Sequence, residues 1–414
     1  MSFSHDEYFT KLSAALKKQG LLRPTLVIDE ERLEKNTATL LSHLPPGMNV
    51  RLVVKSLPSL PLVRRVMELA DTRRLMIFDL SFLDAVARGV PGGDVLFGKP
   101  MPAVLAARFY DEFAGGTFDP ARQVHWLIDT PQRLKEYARL TEERGLRLKV
   151  NIEIDVGLHR GGVTTPAQLA AMLDEIDANP RLSLSGLMGY DAHVARMPGL
   201  LRGGALNKSK ALYKEMRELV EKRYPDRTGE LTFNTAGSPT YRLHQDLHAG
   251  TEVAVGSALV KPMDCDVGTL ADHVPACFIA TSVLKATEKT RLPGLEALSG
   301  ICAAFNPKAA RTFFIYGGNW QAQPVSPPGL RQNKLYGRSS NEEMLNGPRK
   351  TALGVDDLVF LRPTQSEGVF LQFGDIAVYR DGKITQFWPV IGQEPKQLLA
   401  DDAAAPRKPQ PQPG

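Results

Sequence analysis

Cysteine is scarce: the chain holds three in 414 residues, Cys265, Cys277 and Cys302, with no CxxC spacing. An odd, unspaced set excludes a disulfide framework and a zinc knot, and fits buried thiols in a reducing cytoplasm. Long apolar runs are missing as well. Nothing approaches the ~20 consecutive apolar residues that a membrane span needs. The first residues, MSFSHDEYFTKLSAALKKQG, have early acids and no apolar core segment, which argues against a secretory signal. Charge of one sign is nowhere concentrated. Basic and acidic residues alternate in stretches such as RLKEYARLTEERGLRLK, so the net charge of +5 reads as solvated helix surface, not a nucleic-acid stripe. No fixed-period repeat is visible, and no GxGxxG follows an early strand, which weighs against an open dinucleotide-binding sheet.

What is present is ordinary globular material. With 43% hydrophobic and 23% charged residues, the chain can build a large core without staples. A helical pattern over 6–20 precedes the apolar strand PTLVID, and a helix follows from Glu30 to His43. Strands at Val50–Val54, Arg74–Phe78, Asp94–Phe97, Val124–Ile128, Leu148–Ile154 and Leu182–Met188 then alternate with helical segments. Roughly eight such units fit between residues 25 and 260, the length of a closed (β/α)8 barrel. After about residue 275 helical periodicity fades into strand-like segments, and Asp381-Gly382 signals a tight hairpin. The expected organisation is a helix over 1–24 packing with the β domain, a barrel over 25–274, a mostly antiparallel β domain over 275–400, and a disordered Pro/Gln-rich tail over 401–414.

Several stretches can carry chemistry. Lys55 ends the apolar run RLVVKS, on the barrel face where active sites form; read alone, it suits an exposed strand end better. NIEIDVGLHRGGV is a strand running into a Gly-rich turn with Arg160, able to hold an anion or a ring oxygen, or to be plain surface. FNTAGSPTY is a strand entering a small-residue turn whose amides can cradle a phosphate, or merely lead to a helix. LRPTQSEGVFLQFGD reads as two short strands joined at Gly368, with Gln365 and Glu367 in period two on one face.

Taken together, VVKS, DVGLHRGGV, AGSPTY and HAGTEVAVGS, in that order, resemble the pyridoxal-phosphate enzymes of the alanine-racemase fold. The branch with D-threonine aldolase and D-serine dehydratase is most similar. The resemblance implies a TIM barrel plus β domain, a homodimer, and an amino-acid substrate. It implies Lys55 as the Schiff-base lysine, Arg160 on the cofactor's phenolic oxygen, and Ala236, Gly237 and Ser238 near its phosphate. In GYDAHVAR it points to Tyr190 and His193 beside the substrate. That branch also binds a divalent metal through a Pro-x-His-x-Cys or Pro-x-His-x-Asp segment. PTQSE is similar, with Gln365 in the histidine's place and Glu367 in that of the cysteine or aspartate. No histidine follows His273, so such a site would favour Mg²⁺, Mn²⁺ or Ca²⁺.

Three functions follow as expectations. The first is a lyase on a β-hydroxy D-amino acid, as aldolase or dehydratase, with Lys55 and His193 catalytic. The second is a racemase, with Tyr316 or Tyr336 as a second base. The third is a non-catalytic cofactor carrier, which the long β domain argues against.

Overall fold

A computed structural model describes residues 5–113, 115–288, 310–333 and 337–392. The tail 401–414, Cys302 and Tyr336 lie outside the described residues. The chain begins with a helix, His5–Lys18, followed by β1 (Thr25–Asp29). Eight parallel strands then close a barrel: β2 (Asn49–Val53), β3 (Arg74–Ile77), β4 (Asp94–Phe97), β5 (Val124–Ile128), β6 (Leu148–Ile154), β7 (Leu182–Gly189), β8 (Thr232–Gly237) and β9 (Glu252–Val255). β9 pairs back to β2, with Asn49 opposite Glu252.

The strand PTLVID is therefore not the first barrel stave. β1 lies in a second sheet, antiparallel to β10 (Cys277–Thr287) and parallel to β16 (Asp375–Arg380). Its two faces explain its unbroken apolar composition. Leu26 and Ile28 join the large core shared with the barrel, while Val27 joins a second cluster under the N-terminal helix, with Tyr8, Phe9, Leu12 and Phe360. A strand covered on both faces loses the alternation that marks a half-exposed one.

Completing this sheet are β11 (Arg311–Tyr316), β12 (Ala322–Ser326), β13 (Arg331–Gln332), β14 (Glu342–Gly347), β15 (Leu358–Pro363) and β17 (Lys383–Pro389). Apart from the β1–β16 pair, its ladders are antiparallel. The β16–β17 hairpin turns on Asp381 and Gly382, both with positive φ (50° and 73°), the backbone that an Asp-Gly pair tolerates best.

Inside the barrel, the end opposite the active face is closed by charge. Arg51 of β2 is fully buried. Its Nε donates to Glu252 Oε1 at 2.5 Å and its Nη2 to Glu252 Oε2 at 3.0 Å. Arg74 Nη1 donates to the same carboxylate at 3.0 Å, and Asp94 Oδ1 lies 2.6 Å from Arg51 Nη1. Burial disfavours the Arg51 charge, but Glu252 and Asp94 outweigh it and raise the Arg51 pKa. Asn234 of β8 donates to Glu252 Oε1 at 2.8 Å and also lines the cavity above, so this floor supports the site. Both described cysteines are buried free thiols, and burial pushes Cys265 up to about 11 and Cys277 to about 12.

Candidate active site

At the C-terminal mouth of the barrel lies a cavity with about 590 Å³ of space not filled by protein, partly open to solvent. β2 feeds it directly. The strand ends in a single 3-10 turn, Val54–Ser56, before Pro58 breaks the chain and the next helix begins at Leu60. That turn leaves Lys55 partly exposed, its amine 4.4 Å from the Phe78 ring centroid. Gly98 makes room for this ring, since a Cβ there would sit 2.3 Å from Phe78 Cζ.

The opposite wall is built from β7, β8 and β9. Tyr190 follows β7 and packs against Gly237, where a Cβ would come within 2.4 Å of its ring. Burial pushes the Tyr190 hydroxyl up to about 12, so it remains a proton donor at neutral pH. Ser238 Oγ accepts from the backbone amides of Gly256 (3.2 Å) and Ala258 (3.1 Å). Two amides thus converge on the Ser238 hydroxyl oxygen beside Gly237 and Ser257, which leaves the Ser238 O–H to donate. A side chain at Gly256 would meet Val53 O at 2.7 Å, so this wall admits only bare backbone.

Behind the wall, Asp191 ties two loops together. It accepts from Thr240 Oγ1 at 2.6 Å and pairs with His244 Nε2 at 2.8 Å, while Thr240 Oγ1 accepts from Gly237 N at 3.2 Å. Burial would raise the Asp191 pKa, but the bonds and charge of His244 and the Thr240 bond hold it below the usual carboxylate range.

Arg160 enters from the loop after β6. Asp155 shapes that loop by accepting from the amides of Gly157 (3.0 Å) and His159 (2.9 Å). Gly157, Gly161 and Gly162 all have positive φ, and a Cβ at Gly162 would lie 2.8 Å from Glu153 O. The Arg160 guanidinium ends 5.5 Å from the Tyr190 ring centroid, at the cavity edge.

Lys55, Arg160, Tyr190, Ala236, Gly237, Ser238 and Glu367 all line this cavity; His193 and Gln365 are not among its lining residues. His193 lies on the short helix Ala192–Arg196, its Nε2 3.3 Å from where a Gly157 Cβ would stand. Its Nδ1 is buried without a hydrogen-bond partner. Gln365 turns away, donating its amide to Asp264 Oδ2 at 2.9 Å.

The reading of Gln365 and Glu367 as one face of a strand is corrected by the chain's course. β15 stops at Pro363, and a turn leads into a 3-10 segment, Phe370–Gln372, in place of the second strand. Buried Ser366 is the pivot, its carbonyl accepting from the amides of Val369 and Phe370. Glu367 then reaches the barrel mouth, with Oε1 3.5 Å from Lys55 Nζ. Sequence reasoning named Glu367 but missed this partner. It also left Gly256 and Ser257 without a role, although VGS directly after an apolar run was a usable signal.

The family model "Alanine racemase, N-terminal domain" matches residues 28–263, more than half of the chain. The chain belongs to this family. Among curated relatives of this alanine racemase N-terminal domain protein is 3-hydroxy-D-aspartate aldolase of Paracoccus denitrificans (strain Pd 1222). It is 23% identical over 273 residues, 64% of this chain. The match spans 65% of that relative's length, just under two thirds. Solved structures share the fold. D-threo-3-hydroxyaspartate dehydratase from Delftia sp. HT23 superposes with a TM-score of 0.67 at 17% identity, covering 89% of this chain and 97% of its own. D-threonine aldolase from Filomicrobium marinum gives 0.65 at 15%, covering 89% and 95%. Alanine racemase from Bacillus anthracis gives 0.65 at 14%, covering 89% and 98%.

Proposed function

We propose that the chain is a pyridoxal-phosphate-dependent lyase acting on a β-hydroxy D-amino acid. The observation that carries this reading is the Lys55 amine at the barrel mouth, facing Glu367 and sharing its cavity with an amide-lined wall. The wall fits a phosphate: Ser238 Oγ accepts from two amides, so its hydroxyl hydrogen remains to donate, and a side chain at Gly256 would clash. When bound, pyridoxal phosphate supplies an electron sink for the carbanion at the substrate Cα. Lys55 would hold it covalently and then take or return the Cα proton. Arg160 would hold its phenolic oxygen, and Ala236, Gly237 and Ser238 its phosphate, with Tyr190 packed against Gly237.

The metal expected at Gln365 and Glu367 does not fit the residues present. Gln365 gives its amide to Asp264, and Glu367 pairs with Lys55 and accepts from Ser366 Oγ. Among the described residues no three His, Cys, Asp or Glu side chains group around a possible ion. Activity is therefore expected to persist through exhaustive chelation; loss with EDTA and recovery with Mn²⁺ would overturn this.

The test of the main reading is incubation of the reconstituted protein with D-threonine and D-serine. Glycine plus aldehyde marks an aldolase, and a keto acid a dehydratase. Inversion of a simple amino acid with neither product would mark a racemase. Tyr316, the described candidate for a second racemase base, is 46% exposed and does not line this chain's own cavity. Entry of Glu367 from the β domain into the cavity favours an enzyme over a bare cofactor carrier.

His193 is proposed for proton transfer at the substrate β-hydroxyl on the strength of the family resemblance; it follows the cavity-lining Tyr190 on the short helix Ala192–Arg196. His193→Ala is expected to leave the visible absorbance intact and lower turnover by about 10²–10⁴-fold. Unchanged turnover would remove it from the mechanism. The assembly is proposed to be a homodimer, measurable by sedimentation, and its location the cytoplasm, in keeping with the buried free thiols. No described helix is long and apolar enough to cross a membrane.

A further inference from the structure

Glu367 is held at the barrel mouth, facing Lys55. Arg362 of β15 clamps the preceding segment, donating to Lys261 O (3.1 Å) and Pro262 O (3.1 Å) and pairing with Asp266 at 2.7 Å. Asp264 N donates to Thr364 O at 3.0 Å, and Thr364 N to Gln321 O at 2.7 Å. Ser366 Oγ, from a fully buried residue, donates to Glu367 Oε2 at 3.0 Å and leaves Oε1 toward Lys55. The backbone leading into Glu367 is thus held in place, and one of its carboxylate oxygens is occupied.

The charge inventory of the cavity gives this position a consequence. Among its lining residues the cations are Lys55 and Arg160, and the one anion is Glu367. A substrate joined to the cofactor brings its own α-carboxylate; with Arg160 given to the cofactor's phenolic oxygen, the released Lys55 amine is the remaining lining cation. A second carboxylate would have no further cation to meet, and it would share the cavity with Glu367. A hydroxyl or amide in its place can instead donate a hydrogen bond to Glu367, a charge-assisted contact. Rejection by an unpaired like charge is a common source of specificity.

We infer that Glu367 is the specificity-determining residue of this site: it selects β-hydroxy D-amino acids with neutral side chains and excludes those with a second carboxylate. The inference rests on the lyase reading above and narrows its substrate class.

D-asparagine and D-aspartate are the probes, because they are nearly isosteric, differ in charge, and lack the β-hydroxyl that the lyase reaction needs. Binding of each to the reconstituted holoenzyme is read as the change in its visible absorbance. D-asparagine is expected to bind tighter by on the order of ten- to a hundredfold. Glu367→Gln should reduce that ratio to near unity, and Glu367→Asp, which keeps the charge, should preserve its direction. Equal binding of both probes by the unaltered protein would overturn the inference. So would a folded Glu367→Gln variant with an unchanged ratio. A holoenzyme that cleaves D-threonine yet binds D-aspartate as well as D-asparagine defeats this inference alone. One whose absorbance responds to no D-amino acid defeats the lyase reading, and the inference with it.

Discussion

Lys55→Ala is expected to abolish the visible absorbance of the reconstituted protein and to lower turnover by at least about 10⁴-fold. The loss would not come from unfolding. The Lys55 side chain is 37% exposed, and its ion pair with the 34% exposed Glu367 is worth about 1 kcal/mol or less in that setting. Thermal stability should therefore stay close to that of the unaltered chain while the chromophore disappears. Borohydride reduction followed by peptide mass analysis makes the test direct. A cofactor adduct on any other lysine, or one still formed in the variant, would refute the assignment of Lys55.

Glu252→Ala is expected to act in the opposite way, on the fold. Glu252 receives bonds from Arg51, Arg74 and Asn234, and Arg51 has no exposed surface on which to find water. Removing one partner of a buried ion pair costs up to about 3–5 kcal/mol, and here Asp94 would be the carboxylate left beside the buried Arg51. Against a typical total stability of about 5–15 kcal/mol, that is a large share. The urea midpoint should fall sharply, and Glu252→Gln, which keeps the shape and one acceptor, should fall less. A midpoint matching the unaltered chain would mean that water or backbone satisfies Arg51 by another route.

The two variants mark what the sequence could and could not reveal. The position of Lys55 was legible because a lysine at the end of an apolar strand, in a chain alternating strand and helix, falls at a barrel mouth, but its role was read from the family resemblance. Arg51 and Glu252 were not, since each reads as an ordinary polar strand residue until the barrel closes and brings β2 beside β9. PTLVID was assigned to the barrel because a strand apolar on both faces looks the same in either sheet. The segment after Pro363 was misread for a related reason. Val369 and Phe370 are buried, so VFLQF carries a strand-like apolar pattern, yet it coils around the Ser366 carbonyl. Ala236, Gly237 and Ser238 lie in the cavity wall, whereas Gln365 was paired with Glu367 on a face that does not exist.

The position of β1 also orders events during synthesis. Leu26 pairs with Ile376, so the strand made first waits for one made near the end. The barrel strands, β2 to β9, are all complete by Val255, long before β16 leaves the ribosome. Until then β1 has at most its β10 partner, and its other edge stays open to water or to a neighbouring nascent chain. The turn bearing Glu367 emerges in the same late interval. A growing chain therefore completes its barrel before it acquires the carboxylate that faces Lys55.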